Sequence, residues 1–250
     1  MVYGIVVAGG QGTRLGRKKQ FLDLAGSPVW RWSVNTLRDA GVDRVFLVVP
    51  AEDVSEITRS VEMDDIPVRV VPGGQTRFHS VRNGLGAIGR EVFGLDPFAA
   101  GSAPSPSQAK AWVAVHDAAR PFVSASDVRA VIRTAKETGA AILARPCADT
   151  VKRVEDGCIR GTLPRHSLWL AETPQVFRLD WMWEAYRPGV SPAEATDDAW
   201  VMEQAGHTVQ VVASTAENRK ITTPADWAWA QMWAEHVRKG AMMDADRSRI

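Results

Sequence analysis

Tyr3-Gly4-Ile5-Val6-Val7-Ala8 runs straight into Gly9-Gly10-Gln11-Gly12-Thr13-Arg14-Leu15-Gly16 and then Arg17-Lys18-Lys19-Gln20. The first six residues form a short apolar run, the pattern of a strand covered on both faces. A glycine-rich turn at the end of such a strand lies where open α/β sheets bind ligands. Glycines let the backbone come close to a phosphate and aim N–H groups at it. A dinucleotide fingerprint needs a third glycine where Leu15 stands, and no G-x-x-x-x-G-K-[ST] phosphate loop occurs in the chain. What remains is a glycine turn followed by Arg14, Arg17, Lys18 and Lys19. Clustered cations beside such a turn suit a triphosphate and the charge that grows during phosphoryl or nucleotidyl transfer. Of these four, Arg17 or Lys18 reads as a solvated surface charge.

Outward from this turn, strand-like runs follow at Arg44 to Val49, Val68 to Val71, Trp112 to His116, Ala140 to Ala144 and Thr208 to Val212. Helical patterns lie between and after them, at Val29 to Ala40, Phe78 to Val92, Asp127 to Thr138, Asp197 to Ala205 and Pro224 to Arg238. The last opens with Thr223 as N-cap, Pro224 at the first helical position and Asp226 in the first turn. Gly206 is placed to end the helix before it. This alternation predicts an α/β fold, a doubly wound and mostly parallel sheet in a single domain over residues 1–238.

Three segments depart from the alternation. Residues 94–110 (GLDPFAAGSAPSPSQAK) read as a surface loop insertion. Thr150 to Leu163 reads as a hairpin turning at Asp156-Gly157. A hairpin of that size buries little by itself, so it projects as a β-arm, about residues 147–171, and needs the domain body or a second subunit as partner. Residues 239–250 read as a fraying, flexible tail.

The composition narrows the function classes. The formal net charge of +1 gives no basic excess for a nucleic-acid partner. No apolar run reaches the length of a membrane span, and the opening Val2 to Val7 run has no basic flank and is too short for the apolar core of a signal segment. Cys147 and Cys158 make neither a disulfide framework nor a zinc site, which points to the reducing cytoplasm. The ten tryptophans are unusual. Trp30, Trp32, Trp181, Trp183, Trp227, Trp229 and Trp233 lie in helical stretches without a Lys/Arg groove, and read as packing rather than as a base-stacking platform.

The opening turn resembles the nucleotidyltransferase signature A-A-G-x-G-x-R-[ML]-G…P-K-Q, and Phe21 to Val29 continue the likeness. Gly73-Gly74-Gln75-Thr76-Arg77-Phe78-His79-Ser80-Val81-Arg82-Asn83-Gly84-Leu85 is similar to the G-G-x-x-R-x-x-S-V-x-x-G-L segment of 2-C-methyl-D-erythritol 4-phosphate cytidylyltransferases. So are Val115 to Phe122 (VHDAARPF), Asp149 to Lys152, Thr173-Pro174-Gln175, Thr196 to Ala199 and Asn218 to Thr222. They occur in order over nearly the whole chain. Within this likeness the loop before Lys19 is shortened, Lys18 stands where the family usually has proline, and Gln75 stands where relatives are often acidic.

The resemblance implies a Rossmann-like nucleotidyltransferase fold and a set of roles. Arg14, Lys19 and Lys220 would be the catalytic cations at the triphosphate. Ala8, Gly9, Gly10, Gly12, Gly74, Gln75 and Ser80 would line the nucleotide site, with short groups that admit a pyrimidine and crowd a purine. Asp117 would reach the ribose or a metal. Mg²⁺ would be held mostly by CTP phosphates, because that ion takes few protein carboxylates. Arg120, Thr150, Arg165, Thr196 and Lys220 would bind the polyol phosphate, Arg165 from the partner subunit of a homodimer joined through the β-arm. His116 precedes Asp117, but no Ser or Cys nucleophile motif accompanies it, so it reads as structural.

The implied reaction joins CTP to 2-C-methyl-D-erythritol 4-phosphate and releases pyrophosphate. Ribitol-5-phosphate cytidylyltransferase shares this chemistry, but the His116 to Pro121 and Ser80-Val81 segments favour the methylerythritol enzyme. A binding module that kept the fold and lost the chemistry need not retain Arg14, Lys19 and Lys220 together.

Overall fold

The computed structural model describes residues 1–10, 18–63, 67–99, 110–187 and 194–247, with backbone alone for Lys19 and for residues 239–247. Seven strands form the central sheet. They are β1 (Val2–Val7), β2 (Arg44–Val49), β3 (Val68–Pro72), β4 (Trp112–Asp117), β5 (Ala140–Pro146), β8 (Trp169–Arg178) and β9 (Gln210–Ala213), in the order β3-β2-β1-β4-β8-β5-β9. All neighbours run parallel except β8, which is antiparallel to both β4 and β5. The doubly wound, mostly parallel sheet expected from the sequence is therefore present.

Alternate residues of the strands feed two layers, as period-two side-chain geometry requires. Tyr3 and Ile5 of β1 pack on one face with α3 (Arg77–Phe93), α5 (Leu179–Ala185) and α6 (Asp198–Gln204). Val2 and Val6 pack on the other with α1 (Val29–Asp39), α2 (Val54–Met63) and α4 (Ala125–Thr138). A smaller third cluster joins Leu24, Val29, Phe122 and Ile221 to the C-terminal helix α7 (Pro224–Arg247). There Trp32 and Trp229 meet the ring of Phe122 edge-on at 5.6 Å each, and Trp233 stacks on Trp229. Trp30 and Trp183 are buried in the main layers, so these tryptophans pack as the sequence suggests.

The sequence reading lacks three elements. β8 carries Glu172, Thr173, Pro174 and Gln175 in its middle, a polar stretch that masks a strand. These side chains are buried because they are bonded: the Gln175 amide donates to Asp197 and its oxygen accepts from Ala199 N. α2 offers only Ile57 and Val61 to the core, too thin a stripe to stand out. α5 is a short helix that follows β8 without a loop.

Boundaries match closely elsewhere. Thr223 Oγ1 accepts from Asp226 N at 3.2 Å, the N-cap expected for α7, and Gly206 adopts φ +83° just past α6. α7 does not end at Arg238 but continues to Arg247, which corrects the tail expected from residue 239. Its last turns (Lys239 to Arg247) contain no proline, and the lysine, alanines, methionines and arginine there are good helix formers. Of the 94–110 stretch, residues 94–99 and 110 are described. Gly94 closes α3 at φ +66°, and Phe98 lies under Arg82 with the guanidinium 4.7 Å from the ring centre.

The arm is a two-stranded sheet apart from the main one, β6 (Lys152–Glu155) against β7 (Cys158–Thr162). Asp156 and Gly157 have φ of +51° and +74°, the two left-handed residues that a tight hairpin turn needs. Its base closes where Pro146 pairs with Trp169, so Trp169 to Ala171 belong to β8 rather than to the free arm.

Candidate active site

The site sits at the carboxyl ends of β1 and β4, where the strand order turns outward on both sides. Val7 and Ala8 end β1, Asp117 ends β4, and the Gly73-Gly74 turn leads from β3 into α3. Val7, Ala8, Gly74 and Asp117 line a cleft of about 290 Å³ together with Gly9, Gly10, Gln20, Gln75, Thr76, Arg77, Ser80, Lys220 and Thr222. Of the residues singled out in the sequence, the fold thus gathers Ala8, Gly9, Gly10, Gly74, Gln75, Ser80, Asp117 and Lys220. Gly12, Arg14 and Arg17 lie outside the described residues, as does the side chain of Lys19.

The floor is built from short groups held by backbone bonds. Ser80 Oγ accepts from Gly74 N at 3.1 Å and donates to the Thr76 carbonyl at 3.0 Å. A β-carbon on Gly74 would collide with His79, so this turn takes glycine for close approach. Both ends of the glycine-rich loop are tied down. Gln20, nearly fully buried, donates to Gly10 O at 2.8 Å. Lys18 gives its ammonium to Asp53 at 2.6 Å and to Glu52 at 3.0 Å. Lys18, which with Arg17 reads as a solvated surface charge, is partly exposed and ion-paired, and it is absent from the cleft lining.

Asp117 is the electrostatic centre. Its Oδ1 accepts from Arg77 Nε at 3.0 Å and its Oδ2 from Lys220 Nζ at 2.6 Å, while Thr173 Oγ1 accepts from its backbone N–H. Burial pushes its carboxyl up, but the Arg77 and Lys220 cations outweigh that and hold it well below the usual carboxylate range. Lys220 rides on the loop after β9. Asp127 of α4 pins that loop by accepting from Thr215 N, Thr215 Oγ1 and Ala216 N. Ile221 N bonds Ala119 O, which ties the loop to the end of β4.

A second cleft of about 550 Å³ adjoins the first, with Lys220 and Thr222 in the walls of both. It holds Arg120, Arg145 and Arg219 beside Glu172 and Asp226. Arg120 points here, donating to Asn218 O at 2.7 Å and Ala171 O at 3.3 Å. Thr150, Arg165 and Thr196 line neither cleft. Thr196 is exposed just before the N-cap of α6. Thr150 and Arg165 belong to the arm, where Arg165 Nη1 donates to Ala148 O.

The family model for 2-C-methyl-D-erythritol 4-phosphate cytidylyltransferase, IspD, matches residues 2–95 and 101–236. The chain belongs to the IspD family. The enzyme of that name from Bacillus licheniformis is 36% identical over 246 residues, spanning 96% of this chain and 98% of the relative. The one from Rhodopirellula baltica is 40% identical over 228 residues, 89% of this chain and 90% of the relative. The Francisella tularensis crystal structure of this enzyme superposes with a TM-score of 0.71 at 29% identity, covering 93% of this chain and 99% of that one. This IspD-family chain is a transferase with the family's α/β fold. The break in the match, residues 96–100, falls inside the stretch read as an insertion, while 101–110 is matched.

In this IspD-family chain the sequence reading omits Arg77, Gln20, Thr76 and Thr222 as site residues. The signal for Arg77 is present in the motif itself. An arginine at the start of a helix that must pack on a sheet needs buried carboxylates, and Asp117 and Asp198 are supplied by two other motifs.

His116 is fully buried, with Nδ1 bonded to Thr173 Oγ1 and Nε2 to Arg120 O. Burial outweighs the nearby Asp117 charge and pushes its pKa from 6.5 down to about 4. Folding thus favours the neutral ring, whose stabilisation is complete above pH 6.5 and is lost as pH falls toward about 4. Denaturant unfolding should show about 2 kcal/mol lost between pH 6.5 and about 5, with the loss much reduced in His116→Gln. An equal slope in both proteins would assign the loss elsewhere.

Proposed function

We propose that this chain transfers the cytidylyl group of CTP to 2-C-methyl-D-erythritol 4-phosphate, giving 4-diphosphocytidyl-2-C-methyl-D-erythritol and pyrophosphate. The observation that carries the reading is the joining of two clefts at Lys220. One has a glycine turn and a floor of short groups, the other a wall of arginines. The nucleotide occupies the first, with its triphosphate along Gly9, Gly10 and Gly12 toward Arg14 and Lys19. The polyol phosphate approaches from the second, held by Arg120 and Lys220.

A 4-phosphate oxygen attacks the α-phosphorus, the new P–O bond forms and the bond to pyrophosphate breaks in line with it. A phosphate monoester is largely ionised near neutral pH (second pKa about 6), so no general base is required. Lys220, Lys19 and Arg14 stabilise the charge that develops on the α-phosphoryl oxygens and the leaving group, and the two clefts fix the geometry.

Mg²⁺ fits this donor set as a phosphate-bound ion. Among the described residues no group of three His, Cys, Asp or Glu could form a protein cage, and Asp117 is the single carboxylate in the nucleotide cleft. Bound there, the ion would neutralise phosphate charge.

Thr150 and Arg165 complete the polyol-phosphate site from a partner subunit. The arm exposes Val154, Ile159 and Leu163, and β8 exposes Trp169 and Leu170 at its base, an apolar set that a second copy would cover in a two-fold homodimer. Free Cys147 and Cys158 suit a reducing compartment, the cytoplasm.

The size of the nucleotide cleft predicts base selectivity. CTP should exceed ATP and GTP in kcat/KM by about 10²-fold or more, because Gly74 and Ser80 leave room for one ring. Comparing the four triphosphates in a pyrophosphate-release assay measures this, and equal use of a purine nucleotide would sink the cytidylyl reading.

A further inference from the structure

Asp117 has two cationic partners, and they differ in kind. Lys220 has a side chain 40% exposed and lines both clefts, so it can turn toward a phosphate. Arg77 cannot leave so easily. Its Nη2 donates at 2.7 Å to Asp198, whose side chain is 0% exposed. Asp198 in turn accepts from the Tyr186 hydroxyl, and the Tyr186 ring stacks on Phe78, the residue next to Arg77, at 4.5 Å. The contacts close a ring from the start of α3 through Tyr186 to the start of α6 and back. The four charges Asp117, Asp198, Arg77 and Lys220 balance, so removing Lys220 to a substrate would leave Asp117 with Arg77 as its fixed counter-charge.

We propose that Arg77 and Asp198 are positioning residues that hold Asp117 ionised and aimed into the nucleotide cleft while Lys220 serves the incoming phosphate. This rests on the reading of Asp117 as the carboxylate that meets the CTP ribose or its Mg²⁺. Two carboxylates on one arginine fork fix direction as well as charge, which a lysine at this position could not do.

Arg77→Met alone would strand the buried Asp198 charge and could unfold the chain. The informative protein is the double variant Arg77→Met/Asp198→Asn, which removes both charges and keeps an acceptor for Tyr186. It should fold with a thermal midpoint close to wild type. Its kcat/KM for CTP should fall by at least about tenfold, the scale of a misplaced binding group, with the KM for the polyol phosphate unchanged. Arg77→Lys/Asp198→Asn, with one cation for Asp117, should recover part of that loss. A folded double variant with wild-type kcat/KM for CTP overturns the proposal, and so does an equal loss toward both substrates, which would mean general loosening. Failure of the parent reading is distinct: wild-type protein would then show no preference for CTP at all.

Discussion

Lys220→Met is expected to lower kcat by about 10²-fold or more, the scale reached when one preorganised charge-stabilising group is lost. Lys19→Ala should do the same. Lys220 is held at the junction of the two clefts by Asp127 and Ile221, so the deletion removes charge without unpinning its loop. Asp117 remains paired with Arg77 in that variant, which keeps the fold from carrying a bare buried charge. Steady-state kinetics beside thermal midpoints separate the two effects. For Lys19 the neighbouring Lys18 offers no substitute, since Asp53 and Glu52 already take its ammonium. Near-normal kcat in a folded Lys19→Ala protein would therefore contradict the assignment of the triphosphate cations.

The second large effect concerns the arm. Arg165→Ala and Lys19→Ala should each be nearly inactive alone, because each removes one contributor to every site. If the arm serves the partner, a mixed dimer has one site with both lesions and one with neither. Random pairing makes about half the dimers mixed, each with one intact site of two, so about a quarter of wild-type activity should return on co-refolding. The exposed Val154 and Ile159, together with an Arg165 that lines neither cleft of its own chain, motivate this expectation. Exchange of subunits without recovery would place Arg165 in its own chain's chemistry.

The parallel part of the sheet is legible in the sequence because its inner strands β1, β2, β4 and β5 are mostly buried on both faces and read as apolar runs, while the more exposed β3 and β9 still carry paired valines. The hairpin is legible because Asp156-Gly157 names its turn. β8 is hidden for the opposite reason. Its buried middle is polar, and Glu172, Thr173 and Gln175 are tolerated only because Asn218, His116 and Ala199 supply partners from distant elements. No local pattern encodes such partners. Asp117 and Lys220 are legible one at a time as motif residues, but their 2.6 Å contact joins positions 103 residues apart. Lys18 shows the limit of reading a charge run by itself: its acceptors stand on the turn after β2, beyond any local window.

The central claim is the transfer of a cytidylyl group to a polyol phosphate, and its product tests it most directly. Purified protein with CTP, Mg²⁺ and either 2-C-methyl-D-erythritol 4-phosphate or ribitol 5-phosphate can be followed by phosphorus NMR. The expected result with the methylerythritol substrate is a pair of coupled diphosphate resonances appearing in step with free pyrophosphate, with the ribitol ester far slower. Pyrophosphate release without a coupled diphosphate product, or faster turnover of the ribitol ester, would contradict the account.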